Sequence, residues 1–154
     1  MNLKFGSKAK VLKDLSNVIT TAHVLPVLKF SVEDYSNPED IHQRIQAYFA
    51  AEFLVIRSSA LNEDSLSSSN AGHFSSYLNV DKHDSAALKH AITNVIDSYD
   101  DKNKKHEILV QPMLDDIDIA GVVLTCNIDN LSPYYTVNYE KGTSDVVTSG
   151  REGT

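Results

Sequence analysis

Apolar side chains recur at helical spacing in three segments of the chain. Positions three and four residues apart lie on one face of an α-helix, so each stripe predicts a helix that buries that face. The second stripe follows Asn37 and Pro38, which suit a helix start because Asn can cap and Pro fits the first turn. The third follows Asp84 and Ser85, either of which can cap. The stripes are Val11, Leu12 and Leu15; Ile41, Ile45, Tyr48 and Phe49; and Leu88, Ile92, Val95, Ile96 and Tyr99.

Short runs rich in β-branched and aromatic residues lie between these helices and after the last one. They are separated by turn-forming residues, which is the pattern of strands joined by loops. The runs are residues 24–32, 53–56, 77–80, 107–113, 119–125, 134–139 and 146–148. Strands and helices alternate at first, and the last third of the chain is rich in strands. The pattern predicts an α+β fold.

Composition narrows the class of protein. The chain has 154 residues, enough for one compact domain, and 42% of them are hydrophobic, enough for a core. Its 14 basic and 21 acidic residues give a net charge of −7, which argues against nucleic acid or an anionic membrane as the main partner. The single cysteine, Cys126, excludes an internal disulfide and fits a reducing cytosol. No apolar stretch is long enough to span a bilayer, so we expect a cytoplasmic protein.

Residues 53–80 combine an apolar strand with a hydroxyl-rich loop. The strand runs into Arg57 and two serines, and Gly72 lies near the tip of the loop. A guanidinium offers a planar bidentate fork to an anion such as a nucleotide phosphate, and small residues let backbone N–H groups approach its oxygens. Lys8, at the start of the first predicted helix, is well placed for a second phosphate contact, because helix N-termini attract anions. An ordinary surface loop and a surface lysine are the alternatives, and the pattern alone leaves them open.

This stretch resembles the nucleotide-binding signature of the phosphoenolpyruvate synthase and pyruvate phosphate dikinase family. That signature runs Arg-Ser-Ser-Ala, two variable residues, Glu-Asp, a spacer, Ala-Gly and then Leu-Asn-Val. The chain matches it with Arg57-Ser58-Ser59-Ala60, Glu63-Asp64, Ala71-Gly72 and Leu78-Asn79-Val80. So many fixed positions at fixed spacing are far more specific than a lone glycine pattern.

Four further segments resemble the family in the same order along the chain. Lys8 falls at the lysine of the family's Gly-Gly-Lys-Gly segment. Residues 110–114 (Val-Gln-Pro-Met-Leu) fall where the family has the edge that faces adenine. Residues 120–125 fall at its Gly-Val-x-Phe-Thr strand. Residues 142–150 fall at its acidic metal-ligand segment, with Asp145 one methylene shorter than the usual Glu.

The chain also departs from the family pattern. Ser7 and Ala9 replace two glycines beside the lysine, and Cys126 replaces an arginine that follows the Phe-Thr pair. The chain is shorter than the pyruvate enzymes between residues 80 and 111. The short insert and Cys126 resemble the branch associated with surface polysaccharides, in which a small amide such as glutamine can be the acceptor.

The resemblance implies a nucleotide site with ATP and Mg²⁺ as cofactors. The residues that it assigns to the nucleotide are Lys8, Arg57, Ser58, Gly72, His73, Gln111 and Met113, and Asp145 is assigned to the metal. A single carboxylate supplies only one ligand of an octahedral magnesium shell, so phosphates and waters would have to supply the others. The six histidines show no tight ligand spacing, and most of them are expected at the surface. His73 is the exception, because it follows Ala71-Gly72 in the predicted phosphate loop.

The resemblance also implies the N-terminal part of an ATP-grasp-like nucleotide-binding domain with two subdomains. The first, residues 1–80, would carry the phosphate-binding Lys and Arg and the Ser/Gly loop. The second, residues 81–154, would be β-rich, face adenine and metal, and be truncated at its C-terminus. The implied function is the ATP-binding part of a dikinase-type phosphotransferase that passes the β-phosphoryl group to a histidine. The partners would be ATP and the phosphohistidine and phosphoenolpyruvate-binding domains of a longer parent chain. The alternative is a stand-alone nucleotide-binding or interaction module without catalytic activity.

Overall fold

The computed structural model describes residues 8–59, 75–99, 103–127 and 130–142, together with strand fragments at 64–65 and 68–69. Its helices are α1 (Lys8–Ser16), α2 (Pro38–Tyr48) and α3 (Ser85–Asp97), with a 3₁₀ turn at Asp34–Ser36. Its strands are β1 (Leu28–Ser31), β2 (Phe53–Ser59), β3 (Asp64–Ser65), β4 (Ser68–Ser69), β5 (Ser76–Asp81), β6 (Glu107–Pro112), β7 (Ile119–Leu124) and β8 (Thr136–Lys141). The chain divides into two compact units, Met1–Met113 and Leu114–Thr154. Helices and antiparallel sheets occur together, which confirms the α+β class.

A four-stranded antiparallel sheet, in the order β1-β6-β2-β5, forms the centre of the first unit. Residues directly opposite each other in antiparallel strands share a face, so the register defines two faces. One is apolar: Phe30 lies opposite Ile108, and Ile56 lies opposite Val110. Helices α2 and α3 cover this face with their own apolar stripes. The buried cluster that results includes Phe30, Ile41, Ile45, Leu54, Ile56, Leu88, Ile92, Val95, Ile108 and Val110.

Local chemistry fixes where α2 and α3 begin and end. The Asp84 carboxylate accepts hydrogen bonds from the backbone N–H groups of Ala86 (2.9 Å) and Ala87 (3.0 Å), so it caps α3 as its sequence predicted. Asn37 occupies the corresponding position of α2, but its side chain makes no cap hydrogen bond. Its amide instead donates to the Asp40 carboxylate at 2.7 Å, because an acceptor in the first turn competes for it. Pro38 still occupies the first turn of α2, as predicted.

The C-terminal end of α2 is held by a buried lysine. Lys82 is only 8% exposed, and its ammonium group donates to the backbone carbonyl of Phe49 at 2.6 Å. A cation suits this place because carbonyl groups at a helix C-terminus have no partner within the helix. The Gln46 amide donates to the Lys82 carbonyl at 3.0 Å, so α2 and the end of β5 are joined in both directions.

The second unit contains the β7–β8 hairpin, which runs in register from the pair Ile119 and Lys141 to the pair Leu124 and Thr136. The two strands come very close at Gly121. A Cβ atom there would lie 2.6 Å from the backbone oxygen of Asn138, so only glycine fits this pairing. The hairpin matches the predicted strands 119–125 and 134–139 within two residues at each end.

One predicted strand begins later in the structure than the sequence pattern indicates. The strand expected at 24–32 begins only at Leu28, because Pro26 has no N–H to donate to a ladder. Helix α3 and strand β6 pack with β2 and β5 in the first unit. The subdomains 1–80 and 81–154 stay predictions. The predicted strand at 146–148 lies outside the described residues. Within the described ranges, none of the helices has the length and apolar composition needed to cross a bilayer.

Candidate functional site

Arg57 lies on the second, polar face of the central sheet. It is the fifth residue of β2, an interior strand that pairs with β5 on one side and β6 on the other. In register it lies opposite Ser76 and Leu109, so these three side chains share a face and point away from α2 and α3. The sequence predicted a strand at 53–56 that runs into Arg57, and in the structure this strand continues through Arg57 to Ser59.

The guanidinium of Arg57 is partly buried and incompletely satisfied. Among the described residues, its Nε atom is buried and has no hydrogen-bond partner. A buried N–H group without a partner costs about 1–3 kcal/mol, and more when the group is charged. A bidentate contact with a phosphate or carboxylate uses parallel N–H groups of the guanidinium fork, to which Nε–H can contribute. The Nε–H group of Arg57 is therefore an unused hydrogen-bond donor among the described residues.

Helix α1 begins beside the end of the Arg57 strand. The backbone N–H of Ala9 donates to the Ser59 hydroxyl at 3.2 Å, and both residues are fully buried. Ser59 and Arg57 are two positions apart on one strand face, which separates their Cα atoms by roughly 7 Å. Lys8 is the first residue of α1, so the fold brings the start of this helix to the same region as Arg57. The two predicted phosphate-binding cations thus lie at neighbouring ends of α1 and β2.

A tyrosine holds the end of β2 in place. The Tyr99 hydroxyl accepts from the backbone N–H of Ser59 at 3.3 Å and donates to the backbone carbonyl of Glu107. Ser59 and Glu107 face each other at the end of the β2–β6 ladder, so the hydroxyl joins both strands. The Glu107 carboxylate in turn forms an ion pair with Lys29. The sequence analysis did not predict these hydrogen bonds, because it assigned Tyr99 to the apolar stripe of the third helix.

Gln111 and Met113 lie at the end of the interior strand β6 and just after it, beyond the residues that pair with β1. Gln111 is opposite Val55, which makes it a diagonal neighbour of Arg57 on the polar face. The backbone N–H of Met113 donates to the carbonyl of Phe53 at 2.9 Å and so points toward β2. Alternate residues of an antiparallel strand direct their backbone groups to opposite sides, so the carbonyl of Pro112 points toward the other side. Strand β1 does not reach that far, since its first residue pairs with Val110.

The remaining predicted ligands are placed differently. Ser58 is only 3% exposed, and strand alternation puts its hydroxyl on the apolar face, opposite to the side of Arg57. Gly72, His73 and Asp145 lie outside the described residues. No three Asp, Glu, His or Cys side chains cluster as a metal site in the described part of the chain. The described residues therefore do not fit a magnesium site. The roles of Lys8, Arg57, Gln111 and Met113, like those of Ser58, Gly72, His73 and Asp145, stay predictions.

Two histidines are buried, whereas a surface position was expected for most of them. His42 is 7% exposed, and its Nε2 atom forms a 3.0 Å hydrogen bond with the Tyr35 hydroxyl. Burial lowers the pKa of His42, and the charge of nearby Lys89 adds to this effect. His106 is 6% exposed and stacks on the Tyr99 ring with a centroid distance of 4.4 Å. Both rings serve as packing surfaces within the first unit, and His23, His83 and His90 are exposed as expected.

A cavity of about 340 Å³ lies elsewhere in the first unit, between α1, residues 24–27 and α2. Arg57, Gln111 and Met113 do not line it. The cavity and the predicted nucleotide-binding face are therefore separate features, although both are bordered by the first turn of α1.

Comparison with known proteins identifies the family. No curated protein matches the chain. The family described as "Pyruvate phosphate dikinase, AMP/ATP-binding domain" matches residues 7–151, which include the Arg57 strand, the start of α1 and Gln111. The match confirms the resemblance drawn from the sequence and supports nucleotide binding as the activity of this region. The chain belongs to the family of pyruvate phosphate dikinase AMP/ATP-binding domains.

Proposed function

We propose that the chain is the ATP-binding part of a dikinase-type phosphotransferase and that Arg57 holds a phosphate group of the nucleotide. The observation that carries this proposal is the buried Nε atom of Arg57, which has no hydrogen-bond partner within the described ranges. A phosphate oxygen would satisfy this N–H group and neutralise the guanidinium charge at once. The start of α1 supports the same assignment, because Lys8 adds a second cation near the end of β2.

The nucleotide would extend from Arg57 along the polar face toward the end of β6. Gln111 lies on this path as a diagonal neighbour of Arg57, and Met113 follows at the end of the strand. The carbonyl of Pro112 would accept a hydrogen bond from the exocyclic amine of adenine, since β1 leaves that edge open. This arrangement resembles an ATP-grasp site, in which phosphates and base are held at different ends of one cleft.

Phosphoryl transfer in this class depends on positioning the phosphates and stabilising their charge. Arg57 and Lys8 would orient the chain of phosphates and withdraw charge from it, and neither needs to give or take a proton. The acceptor would be a histidine supplied by another domain, which would take the β-phosphoryl group and pass it to a small molecule. Magnesium would neutralise phosphate charge when bound, but no step is assigned to it because the described residues do not form its site.

Calorimetry with a non-hydrolysable ATP analogue tests the Arg57 assignment. Arg57→Gln leaves a shorter polar side chain without the charge and the guanidinium fork, so affinity should fall about tenfold or more. Arg57→Lys keeps the positive charge but lacks the guanidinium fork. Its affinity for the analogue should lie between that of the wild-type chain and that of Arg57→Gln. Lys89→Gln removes an exposed cation on α3, on the opposite side of the sheet, and serves as the matched control. Equal affinity of Arg57→Gln and wild type, with both folded by circular dichroism, would rule out the phosphate contact.

A further inference from the structure

The cavity beside α1 has the size and walls of a small-molecule site. Its volume of about 340 Å³ is at the lower end of the roughly 300–1,000 Å³ typical of such sites. Leu12 of α1, Leu25 and Val27 of the extended segment, and the ring of Tyr48 on α2 supply apolar surface. Tyr48 is 51% exposed, so one side of its ring is open to a ligand. The cavity therefore offers an apolar wall and an exposed aromatic ring to a ligand.

Cations line the same cavity without matching acids. Its lining contains Lys13, Lys29 and Arg44 but no Asp or Glu. Lys29 is neutralised by its ion pair with Glu107, whereas Lys13 and Arg44 form no ion pair within 4.0 Å in the described part of the chain. The wall thus carries two uncompensated positive charges in a protein whose net charge is −7. Such a local excess of one sign attracts a small anion.

Asp34, an acid whose pKa the charge of Arg44 affects, already has hydrogen-bond partners of its own. Asp34 feels the charge of Arg44, but its carboxylate accepts hydrogen bonds from the Ser31 backbone N–H (2.8 Å) and hydroxyl (2.7 Å). These bonds, with a smaller effect of Arg44, lower the pKa of Asp34. The carboxylate is thereby held at the start of the 3₁₀ turn, and the fork of Arg44 remains available to another acceptor.

We propose that this cavity binds a small organic anion whose flat apolar body packs against Leu12, Leu25 and Tyr48. Its carboxylate or other singly charged acid group would meet Lys13 and Arg44, with Ser16 and Asn17 as polar neighbours. The site is distinct from the proposed nucleotide face and does not depend on that assignment. ATP is a poor occupant, because its triphosphate carries about four negative charges against two free cations.

Binding there would also stabilise the position of α1. This helix has one fully buried residue, Ala9, whose N–H is bonded to Ser59 at the helix start. A ligand held between Lys13 on α1 and Arg44 on α2 would add contacts farther along the helix. Backbone amides of Lys8–Ser16 should then exchange with solvent more slowly when the ligand is bound.

Saturation-transfer difference NMR with 2-naphthoate tests this proposal. Its neutral isostere 2-naphthamide is the matched probe, and the acid should bind the wild-type chain several-fold more tightly. Arg44→Gln and Lys13→Gln should each weaken 2-naphthoate binding about three- to tenfold, a modest effect because both residues are exposed and water screens their charge. Lys10→Gln removes a neighbouring cation of α1 that pairs with Asp14 and does not line the cavity, so it should change nothing.

Three outcomes would overturn the proposal. Equal binding of acid and amide would show that charge plays no part. An equal loss in Lys10→Gln and Arg44→Gln would show that only general electrostatics is measured. Displacement of 2-naphthoate by the ATP analogue would show that the cavity belongs to the nucleotide site. Slower amide exchange of α1 with 2-naphthoate, absent in Arg44→Gln, would place the bound probe at the cavity.

Discussion

The Tyr99 hydroxyl offers the sharpest test of how the Arg57 strand is held. Tyr99→Phe keeps the ring, its packing in the core and its stacking on His106, and removes only one oxygen atom. That oxygen accepts from the Ser59 N–H and donates to the Glu107 carbonyl. Ser59 is fully buried, so water cannot readily replace the lost acceptor.

The size of the effect follows from these two bonds. A hydrogen bond contributes about 0.5–1.5 kcal/mol net, and a buried group left without a partner costs about 1–3 kcal/mol. Ser59 and Glu107 are also directly paired in the β2–β6 ladder, so the loss is limited to the two bonds of the hydroxyl. Tyr99→Phe should therefore lower the free energy of unfolding by about 1–3 kcal/mol. A loss of this size lowers the melting temperature by several degrees in a chain of this length.

Urea unfolding followed by circular dichroism measures this loss, with Tyr77→Phe as the control. Tyr77 is partly buried beside the same core, but its hydroxyl has no hydrogen bond within the described ranges. The control should therefore change stability by less than about 0.5 kcal/mol. If Tyr99→Phe is as stable as Tyr77→Phe, the hydroxyl does not join β2 to β6. In that case the position of Arg57 must depend on the sheet ladder alone.

Three further predictions concern the hairpin, a buried histidine and turnover. Gly121→Ala should open the β7–β8 hairpin, because its Cβ would lie 2.6 Å from the Asn138 oxygen; unchanged amide protection over Ile119–Leu124 would contradict this. His42 should titrate below the ordinary histidine value of 6.5, since burial lowers its pKa. The unfolded chain then binds the proton more readily, so stability should fall as pH drops below about 6.5, and His42→Gln should lose this part of the pH dependence. The 154-residue chain alone should not release AMP steadily from ATP, because without a held acceptor roughly 7–11 kcal/mol of catalytic advantage is missing. Steady AMP release that Arg57→Gln abolishes would show that the acceptor lies within this chain.

Local patterns in the sequence determined the helices, most of the strands and the family. The stripe of Ile41 and Ile45 predicted α2 because a helix repeats every 3.6 residues, and the Asp84 cap acts over three residues. The Arg57 signature needed only the order of residues along the chain, so it identified the family without any coordinates.

The tertiary structure decided what depends on residues far apart in the chain. Ser59 meets Ala9 from 50 residues away and Tyr99 from 40, and no local pattern specifies such pairs. Strand alternation turned Ser58 away from Arg57, although the two are adjacent in the sequence. The burial of His42 and the cavity beside α1 likewise arise where helices and the extended segment pack together. Sequence fixes which groups a segment carries, and packing decides which of them face one another, because contact depends on distance in space.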